Sequence, residues 1–356
     1  MFLTKILILS GLEFLCLLQI LKEYFKPIDR WIFLGKIKIM HGTLIGGSNN
    51  IFSVECDDGA IRKCSIKGKK LKSDKRYYNP LAPGDILEID AGVQDGTGQI
   101  TALLPRKNVF ERWNVKGRAP QLLAANLDYI VCFTTPDFPP FRPRFVDRML
   151  VQAEASKIEP LIVCNKCDLE FSPDTEEMLS IWEELGYKVF RVSAKTGEGL
   201  AQLACLLNGK KSAFAGQSGV GKSSVINALD MTVCLKTGNL SQKYERGTHT
   251  TTRGTLYHLQ INPELLGGAS GAVADIIDTP GIRRFVLNGI PSGDLIYYFR
   301  EMEPIAGTCS FGLSCTHSHE AGCRILEAVH AGVITEQRYE SWQRIKSEIE
   351  TGSWED

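Results

Sequence analysis

One eight-residue segment constrains the fold of this chain more than any other. Residues 216–223 read G-Q-S-G-V-G-K-S and match the phosphate-binding loop G-x-x-x-x-G-K-[ST] at every fixed position. Glycines are needed there because backbone N–H groups must turn towards phosphate oxygens without a Cβ in the way. Residues 211–215 read as a short buried strand and residues 223–229 as a helix, which is the context that the motif requires. The segment therefore predicts a nucleotide site in an α/β domain.

The residues of this loop have separate expected roles. Lys222 supplies a compact positive charge to the phosphates and to catalysis, and Ser223 offers a hydroxyl to Mg²⁺. The helix that follows points its positive dipole end at the same anion. The expected nucleotide contacts in this segment are Gly216, Gln217, Ser218, Gly219, Val220, Gly221, Lys222, Ser223 and Ser224.

A second segment carries the expected base specificity. It reads N-K-x-D and consists of Asn165, Lys166, Cys167 and Asp168, after a predicted strand at 160–164. The Asp168 carboxylate can accept hydrogen bonds from the ring N–H and the exocyclic amine of guanine, which adenine does not present in that arrangement. A buried carboxylate left unpaired costs about 1 to 3 kcal/mol, so this residue favours GTP over ATP.

Three more residues follow the next predicted strand, at 188–192. They are Ser193, Ala194 and Lys195, and the backbone N–H of Ala194 can reach the guanine carbonyl. In the preceding segment, Lys166 can lie along the base while Asn165 ties the two nucleotide loops together. In open α/β sheets, ligands bind beyond the carboxyl ends of the strands, where all these segments are predicted to lie.

Metal binding and catalysis are expected downstream of the phosphate loop. Residues 278–281 read D-T-P-G, so Asp278 should hold Mg²⁺, directly or through water, and the Gly281 N–H should meet the γ-phosphate. Residues 247–254 read as the loop that closes over metal and phosphate. Thr251 is the preferred threonine for the Mg²⁺ shell and for catalysis, and Thr250 is nearly as good.

His249 is the nearest polar candidate for handling the attacking water. Many GTP hydrolases carry a glutamine directly after the D-x-x-G glycine, but Ile282 stands there and a hydrophobic side chain cannot orient water. An imidazole can orient or deprotonate water near neutral pH. A solvent-exposed loop histidine without a catalytic role is the alternative.

The motifs occur in an unusual order. GTP hydrolases usually begin with the phosphate loop and end with N-K-x-D and S-A-K, whereas here the last two come first. The same sheet can be built with the strands connected in this order, because the strand ends that carry the motifs need only be near one another in space. The order predicts a circularly permuted GTPase domain of the doubly wound α/β class.

A small barrel is predicted upstream of this domain. Its short strands are expected at 42–45, 51–56, 61–66, 85–90 and 98–104, which suits a barrel of the oligonucleotide-binding type. Although the whole chain is neutral, residues 62–76 contain eight basic residues and one acidic residue, a net charge of +7. This density suits a polyanion, and a solvated loop of lysines is the alternative. Tyr77, Tyr78 and Trp113 are candidates for base stacking or for packing.

A metal site is predicted near the C-terminus. Cys309, Cys315, His317 and Cys323 form C-x5-C-x-H-x5-C, which suits a closed, structural Zn²⁺ site. His319 is a competing ligand, and unmetallated buried cysteines are the alternative. Helical patterns at 294–303 and 336–350 flank the site. The other cysteines show no paired framework, which fits a reducing compartment and a cytoplasmic location.

The N-terminal residues 1–35 form an apolar extension. Residues 6–20 are mostly apolar but contain Glu13 and are short for a membrane span, which needs about 20 residues. We therefore expect no stable membrane partner. An over-extended start, with Met40 as the native first residue, is the preferred interpretation, and an amphipathic helix or a weak anchor are the alternatives.

These motifs together resemble the circularly permuted, small-subunit-dependent ribosomal GTPases, the RsgA, YjeQ or EngC group. The resemblance covers residue 36 to the C-terminus and implies an oligonucleotide-binding barrel over 36–105, a permuted GTPase domain over 106–290 and a zinc-binding helical domain over 291–356. It implies one structural Zn²⁺, and Mg²⁺ with GTP or GDP. It also implies a monomer that binds the 30S subunit and 16S rRNA late in assembly and leaves on GTP hydrolysis.

Two features depart from that family's pattern. Thr248 replaces the arginine of the family's G-R-H-T-T-T motif, and the first cysteine spacing is one residue longer than C-x4-C. A regulatory RNA-binding GTPase with a non-ribosomal target is the second interpretation. An ATP-using kinase or helicase is a third, which N-K-x-D disfavours.

Overall fold

The computed structural model of the chain describes residues 39–48, 50–68, 77–91, 96–235 and 254–354. Its first part is a closed five-stranded barrel. The strands are β1 (Ile39–Ser48), β2 (Ile51–Cys56), β3 (Ile61–Ile66), β4 (Ile86–Asp90) and β5 (Thr97–Leu103). They are hydrogen-bonded in the order β1-β2-β3-β5-β4, so closure leaves no unpaired edge. The predicted barrel is confirmed, with strand bounds within a few residues of those expected.

Alternating side chains fill the barrel. On β2, Phe52, Val54 and Cys56 point inward and are buried, whereas Ile51 at the start of the strand is exposed. This period of two is what a sheet with one buried face requires. Part of the basic run, residues 69–76, lies outside the described residues.

A hairpin that the sequence pattern does not predict joins the barrel to the next domain. Its strands are β6 (Val109–Asn114) and β7 (Ala119–Ala125), which pair antiparallel. The Tyr78 N–H donates to the carbonyl of Pro120 at 2.7 Å, and the Trp113 N–H donates to the carbonyl of Val286 at 2.9 Å. Of the three candidate stacking aromatics, Tyr78 is exposed, while Tyr77 and Trp113 are partly buried.

The central domain is a six-stranded sheet with helices on both faces. Its strands are β8 (Tyr129–Thr134), β9 (Glu159–Asn165), β10 (Lys188–Val192), β11 (Lys211–Gly216), β12 (Thr255–Gln260) and β13 (Val273–Asp278). The order is β10-β9-β8-β11-β13-β12, and every pair is parallel except β12 with β13. The predicted doubly wound sheet is confirmed, and β11, which leads into the phosphate loop, lies near its centre between β8 and β13.

Two buried cores hold the helices against this sheet. The helices are α1 (Pro143–Ala155), α2 (Pro173–Glu184), α3 (Leu200–Leu207) and α4 (Lys222–Leu229). Met149 of α1 and Trp182 of α2 belong to one core, whereas Leu203 of α3 and Val225 of α4 belong to the other. The apolar stripe of each helix therefore faces the sheet.

The C-terminal tail shares the first of these cores. Its α-helices are α5 (Arg324–His330) and α6 (Glu336–Thr351). Phe299, Ile325 and Trp342 of the tail are buried in the same cluster as Met149 and Trp182. The tail and the central domain therefore have one continuous hydrophobic core.

The predicted helix at 294–303 is wrong. The structure has two short 3₁₀ helices there, Leu295–Tyr298 and Glu303–Ile305. Phe299, directly after the first of them, has an extended backbone (φ −110°, ψ 109°) and therefore interrupts a continuous helix. The side chains of Ile296, Phe299 and Met302 are all buried. The predicted helix at 336–350 is confirmed as α6.

His258 on β12 connects the barrel to the edge of the sheet. Its Nε2 lies 2.8 Å from Oε2 of Glu55 on β2, and its Nδ1 lies 2.7 Å from Oδ1 of Asp275 on β13. The hydrogen bond to Asp275 raises the pKa of His258, burial and Lys211 oppose this, and Glu55 raises it further. Only the imidazolium can donate to both carboxylates, so the bridge depends on protonation.

We expect His258→Gln to destabilise the protein more at pH 6 than at pH 9. A group whose pKa is raised in the folded state stabilises the fold below its unfolded pKa of about 6.5 and loses this effect as the pH rises through the folded value. Because the ring is partly exposed, the difference between the two pH values should be about 1 kcal/mol or less. Urea unfolding of both proteins at each pH measures it, and an equal loss at pH 6 and pH 9 would reject the charged bridge.

Candidate nucleotide site and metal cluster

The phosphate loop lies at the carboxyl end of β11 and leads directly into α4. Gly221 has a backbone φ of +89°, which favours glycine. A Cβ at this position would lie 2.2 Å from Nδ2 of Asn165, so the loop requires glycine there for space as well. The strand, loop and helix that the motif predicts are therefore all present.

Lys222 is buried beneath this loop. Its Nζ donates to the carbonyl oxygens of Gly216 at 3.3 Å and Gln217 at 3.4 Å. Burial lowers the pKa of Lys222, while Asp278 opposes the shift. A buried ammonium held by neutral carbonyls attracts an anion, so a phosphate would be a stronger partner.

Asp278 ends β13 beside the first turn of α4. Its Oδ1 is buried and has no hydrogen-bond partner among the described residues. Burial raises the pKa of Asp278, and Lys222 and Ser223 act against this. A buried carboxylate oxygen without a donor, next to a serine hydroxyl, is a donor set that suits Mg²⁺. Asp278 and Ser223 therefore fit the metal that a nucleotide would bring.

Asn165 links the base loop to the phosphate loop. Its Nδ2 donates to the carbonyl of Val220 at 2.8 Å, and its Oδ1 accepts from the N–H of Ala194 at 3.2 Å. All three residues lie at the carboxyl end of a strand of this sheet or in the loop that follows it: Asn165 ends β9, Ala194 follows β10, and Val220 follows β11. One buried side chain thus holds the three nucleotide segments together, including the tie to the phosphate loop expected from the sequence.

Asp168 is oriented by two donors. Its Oδ1 accepts from the Ser193 hydroxyl at 2.7 Å, and its Oδ2 lies 3.3 Å from Nζ of Lys195. The Ser193 hydrogen bond, assisted by Lys195, lowers the pKa of Asp168 although desolvation acts in the opposite direction. The carboxylate is therefore ionised at neutral pH and can accept from a pair of donors on a base.

A cavity of about 530 Å³ lies beside this carboxylate. Its lining includes the predicted Asn165, Lys166, Asp168, Ser193, Ala194, Lys195, Gly221 and Ser224. It also includes Leu169, Asn227 and Ala228, which the motifs do not predict. Asn227 and Ala228 come from α4 and lie one helical turn beyond the phosphate loop, so helical spacing could have identified them.

Within the N-K-x-D segment, Cys167 does not contribute to the site, and Lys166 contacts a further loop. Cys167 does not line the cavity, and burial raises the pKa of its thiol to about 11, so the thiol stays protonated. Lys166 has a φ of +67°, and its Nζ donates to the carbonyl of Phe138 in the loop after β8. The loop after β8 is therefore a neighbour of the base loop.

The D-T-P-G segment packs against the phosphate loop. A Cβ on Gly281 would lie 2.9 Å from Cα of Ser218, so the two segments approach as closely as glycine allows. The Ile282 N–H donates to the carbonyl of Gly216 at 3.1 Å, and the Ile282 side chain is buried. This residue therefore has no access to water, as its apolar character predicts.

Several predicted site residues lie outside the described residues. They are Thr248, His249, Thr250 and Thr251 of the 247–254 segment. The first described residue after them is Gly254, and Thr255 pairs with Asp278 across β12 and β13. The segment thus leads into the strand next to the candidate Mg²⁺ ligand, and the roles of His249 and Thr251 stay predictions.

The predicted metal ligands form one cluster. The ligand atoms of Cys309, Cys315, His317 and Cys323 all lie within 4.8 Å of one another, and all four residues are buried. The Sγ atoms of Cys309 and Cys323 are 3.9 Å apart, and Nδ1 of His317 lies 3.5 and 3.4 Å from them. Tetrahedral Zn²⁺ would place sulfurs about 3.8 Å apart and sulfur and nitrogen about 3.6 Å apart. The donor set and its spacing therefore fit zinc.

Neighbouring groups orient this cluster. The Tyr339 hydroxyl of α6 donates to the His317 carbonyl at 2.5 Å, and the Arg324 N–H donates to Cys309 Sγ at 3.3 Å. Such contacts fix metal ligands in place. His319, the competing ligand, is exposed and does not belong to the cluster.

Comparison with known proteins assigns the chain to a family. The family model described as RsgA GTPase matches residues 103–288. A "Small ribosomal subunit biogenesis GTPase RsgA" from Borreliella burgdorferi is 37% identical over 307 residues, covering 86% of this chain and 95% of the relative. The chain belongs to the RsgA GTPase family. A relative of the same name from Porphyromonas gingivalis is 37% identical over 311 residues, covering 86% of this chain and 96% of the relative.

Solved structures agree with the RsgA assignment. The crystal structure of YjeQ from Thermotoga maritima is similar with a TM-score of 0.64 and 28% identity, covering 88% of this chain and 99% of that one. YloQ, described as a circularly permuted GTPase, has a TM-score of 0.62 at 23% identity, covers 92% of this chain and 100% of that one, and supports the fold. The predicted permutation and GTP hydrolase class are thus confirmed.

Among the residues that the structure describes, no helix has the length and apolar character needed to cross a bilayer.

Proposed function

We propose that this protein is a GTP hydrolase that acts in late biogenesis of the 30S ribosomal subunit. The observation that carries the proposal is the position of Asn165, which bonds the base loop to the phosphate loop and so builds one nucleotide site from permuted segments. The relatives' printed names supply the ribosomal context. The protein would bind the subunit and its 16S rRNA with GTP and leave on hydrolysis.

The proposed residue roles combine the sequence motifs with the geometry of the described residues. Asp168 selects guanine, Ala194 meets the guanine carbonyl, and Lys222 moves from its two carbonyl partners to the phosphates. Ser223 and Asp278 hold Mg²⁺, and Thr251 completes its shell. When bound, Mg²⁺ neutralises charge on the phosphates. The cysteine and histidine cluster holds one structural Zn²⁺.

The barrel and the basic run are proposed as the RNA-binding part. A basic loop on an oligonucleotide-binding barrel suits the RNA backbone. We propose the four units over 1–35, 36–105, 106–290 and 291–356, although the last two share a core. A cytoplasmic monomer fits these assignments.

We expect His249→Ala to lower GTP turnover at least tenfold, because general acid–base groups typically contribute about 100-fold or more. GTP affinity should change less than about twofold, since His249 is assigned to water and not to the nucleotide. Single-turnover hydrolysis and equilibrium GTP binding measure the two effects. Unchanged turnover would remove His249 from the mechanism.

Cosedimentation with ribosomal subunits tests the proposed target. Full-length protein with a non-hydrolysable GTP analogue should sediment with purified 30S subunits, and with GDP it should remain in the supernatant. Purified 50S subunits are the matched control and should retain little protein in either state. Absence of binding to 30S subunits in the GTP-analogue state would favour the second interpretation, a GTPase with a non-ribosomal RNA target.

A further inference from the structure

A second cavity, separate from the nucleotide site, lies where the tail meets the central domain. Its volume is about 720 Å³, and its walls come from the start of α1, the start of α2 and one side of α6. Pockets for small organic ligands occupy about 300 to 1,000 Å³. The cavity is therefore large enough for one nucleotide unit.

Two arginines, Arg142 and Arg144, lie on one wall of the cavity. Among the described residues, no group accepts a hydrogen bond from the guanidinium of Arg142 or of Arg144, and Arg144 is partly buried. Burial lowers the pKa of Arg144, and the positive charges of Arg344 and Arg148 lower it further, while Glu348 and Glu340 act against this. A half-buried guanidinium with two cationic neighbours favours the binding of an anion.

Most acidic groups near this wall already have partners. Asp147 accepts from Arg338, Ser341 and Trp182. Glu348 pairs with Arg148, and Glu340 pairs with Arg344. Glu177 accepts from Gln337 at 2.9 Å. Asp174, in the first turn of α2, is exposed, and Glu177 keeps its charge because its glutamine partner is neutral, so these two carboxylates balance the two free arginines in charge. An anion is therefore favoured by the unused N–H donors of the guanidinium groups and not by an excess of positive charge.

The remaining wall is apolar. Phe141, Phe145 and Met178 line it, with Phe141 packed edge-on against the buried Trp182. Aromatic and apolar side chains beside guanidinium groups suit a ligand that combines a planar ring with a phosphate. We propose that this cavity binds a phosphate-bearing nucleotide unit, either free or within an RNA strand, at a site distinct from the GTP site.

The cavity is connected to the GTP site by the loop after β8. Phe141 and Arg142 at the end of this loop line the cavity. Earlier in the same loop, the Phe138 carbonyl accepts from Lys166, and Cδ of Pro139 lies 3.7 Å from where a Cβ on Gly219 would be. A ligand that moves this loop would therefore also change its contacts with both nucleotide loops.

Calorimetric titration of the full-length protein tests the proposal. The protein is first saturated with Mg²⁺ and GDP so that the GTP site is occupied, and it is then titrated with AMP, with adenosine and with pentauridylate RNA. Arg144→Gln and Arg142→Gln remove one guanidinium each. Arg118→Gln changes an exposed arginine in the β6–β7 turn that does not line the cavity, and is the matched control.

We expect at least one phosphate-bearing probe to bind the wild type, and Arg144→Gln to weaken that binding about tenfold or more, as lost charged hydrogen bonds do. Arg142→Gln should weaken it as well, and Arg118→Gln should not. If AMP binds as tightly as the RNA, a free nucleotide is sufficient as the ligand. If only the RNA binds, the ligand is a nucleotide unit within an RNA strand. The proposal is overturned if adenosine binds as tightly as AMP, or if neither AMP nor RNA shows binding that depends on Arg144.

Discussion

Replacing Asp168 with asparagine should lower the affinity for GTP about 100-fold. The asparagine amide cannot accept hydrogen bonds from both the ring N–H and the exocyclic amine of guanine. It can, however, accept from the ring N–H of xanthine and donate to the carbonyl that replaces the amine. The variant should therefore prefer xanthosine triphosphate, and fluorescence competition with both nucleotides measures the change.

The exposed carboxylate of Asp174 provides the control for this experiment. Asp174→Asn makes the same chemical change away from the nucleotide site and should leave GTP affinity unchanged. The Ser193 hydroxyl can still donate to the amide oxygen and so orient the new side chain, whereas Lys195, which contacts the other carboxylate oxygen, loses its acceptor. If Asp168→Asn binds GTP as tightly as the wild type does, or gains nothing for xanthosine triphosphate, Asp168 does not read the base.

Loss of the metal site should destabilise the central domain as well as the tail. Structural Zn²⁺ contributes about 10 to 16 kcal/mol in isolated zinc-finger peptides. Because Phe299, Ile325 and Trp342 share a core with Met149 and Trp182, unfolding of the tail would expose one side of the central domain. We expect Cys323→Ser to lose zinc and to lower the melting temperature by roughly 6 to 12 °C, as a loss of about 3 kcal/mol would.

Calorimetric melting and zinc analysis of the same samples test this expectation. Cys205→Ser changes an exposed cysteine outside the cluster and should keep both the metal and the melting temperature. A wild type purified without zinc, or a melting curve that is unchanged after zinc has been removed, would show that the cluster is not a structural metal site.

The parts of the fold that follow a strict local pattern could be predicted from the sequence. The strands at 51–56, 61–66 and 188–192 have the expected bounds, because alternation or a short buried run ends at clear turn signals. The phosphate loop, N-K-x-D and D-T-P-G were identifiable because each needs fixed residue types at fixed spacing. Their convergence follows from the rule that parallel strands present their carboxyl ends at one edge of a sheet.

Other features depend on contacts that local pattern does not encode. The 294–303 run has helical character, but its buried side chains pack against the shared core as two 3₁₀ turns. The β6–β7 hairpin is held by backbone hydrogen bonds to Tyr78, which precedes it in the chain, and to Val286, which follows the central sheet. Both residues are distant from the hairpin in sequence. The second cavity joins residues from α1, α2 and α6, separated by about 200 positions, so only tertiary packing reveals it.

Steady-state GTP turnover by the full-length protein, measured alone and with purified 30S subunits, tests the central claim most directly. That claim is that permuted segments form one GTP hydrolase site which responds to the small ribosomal subunit. We predict slow turnover by the protein alone, at least tenfold faster turnover with 30S subunits and little change with 50S subunits. Equal rates under all three conditions would contradict the account.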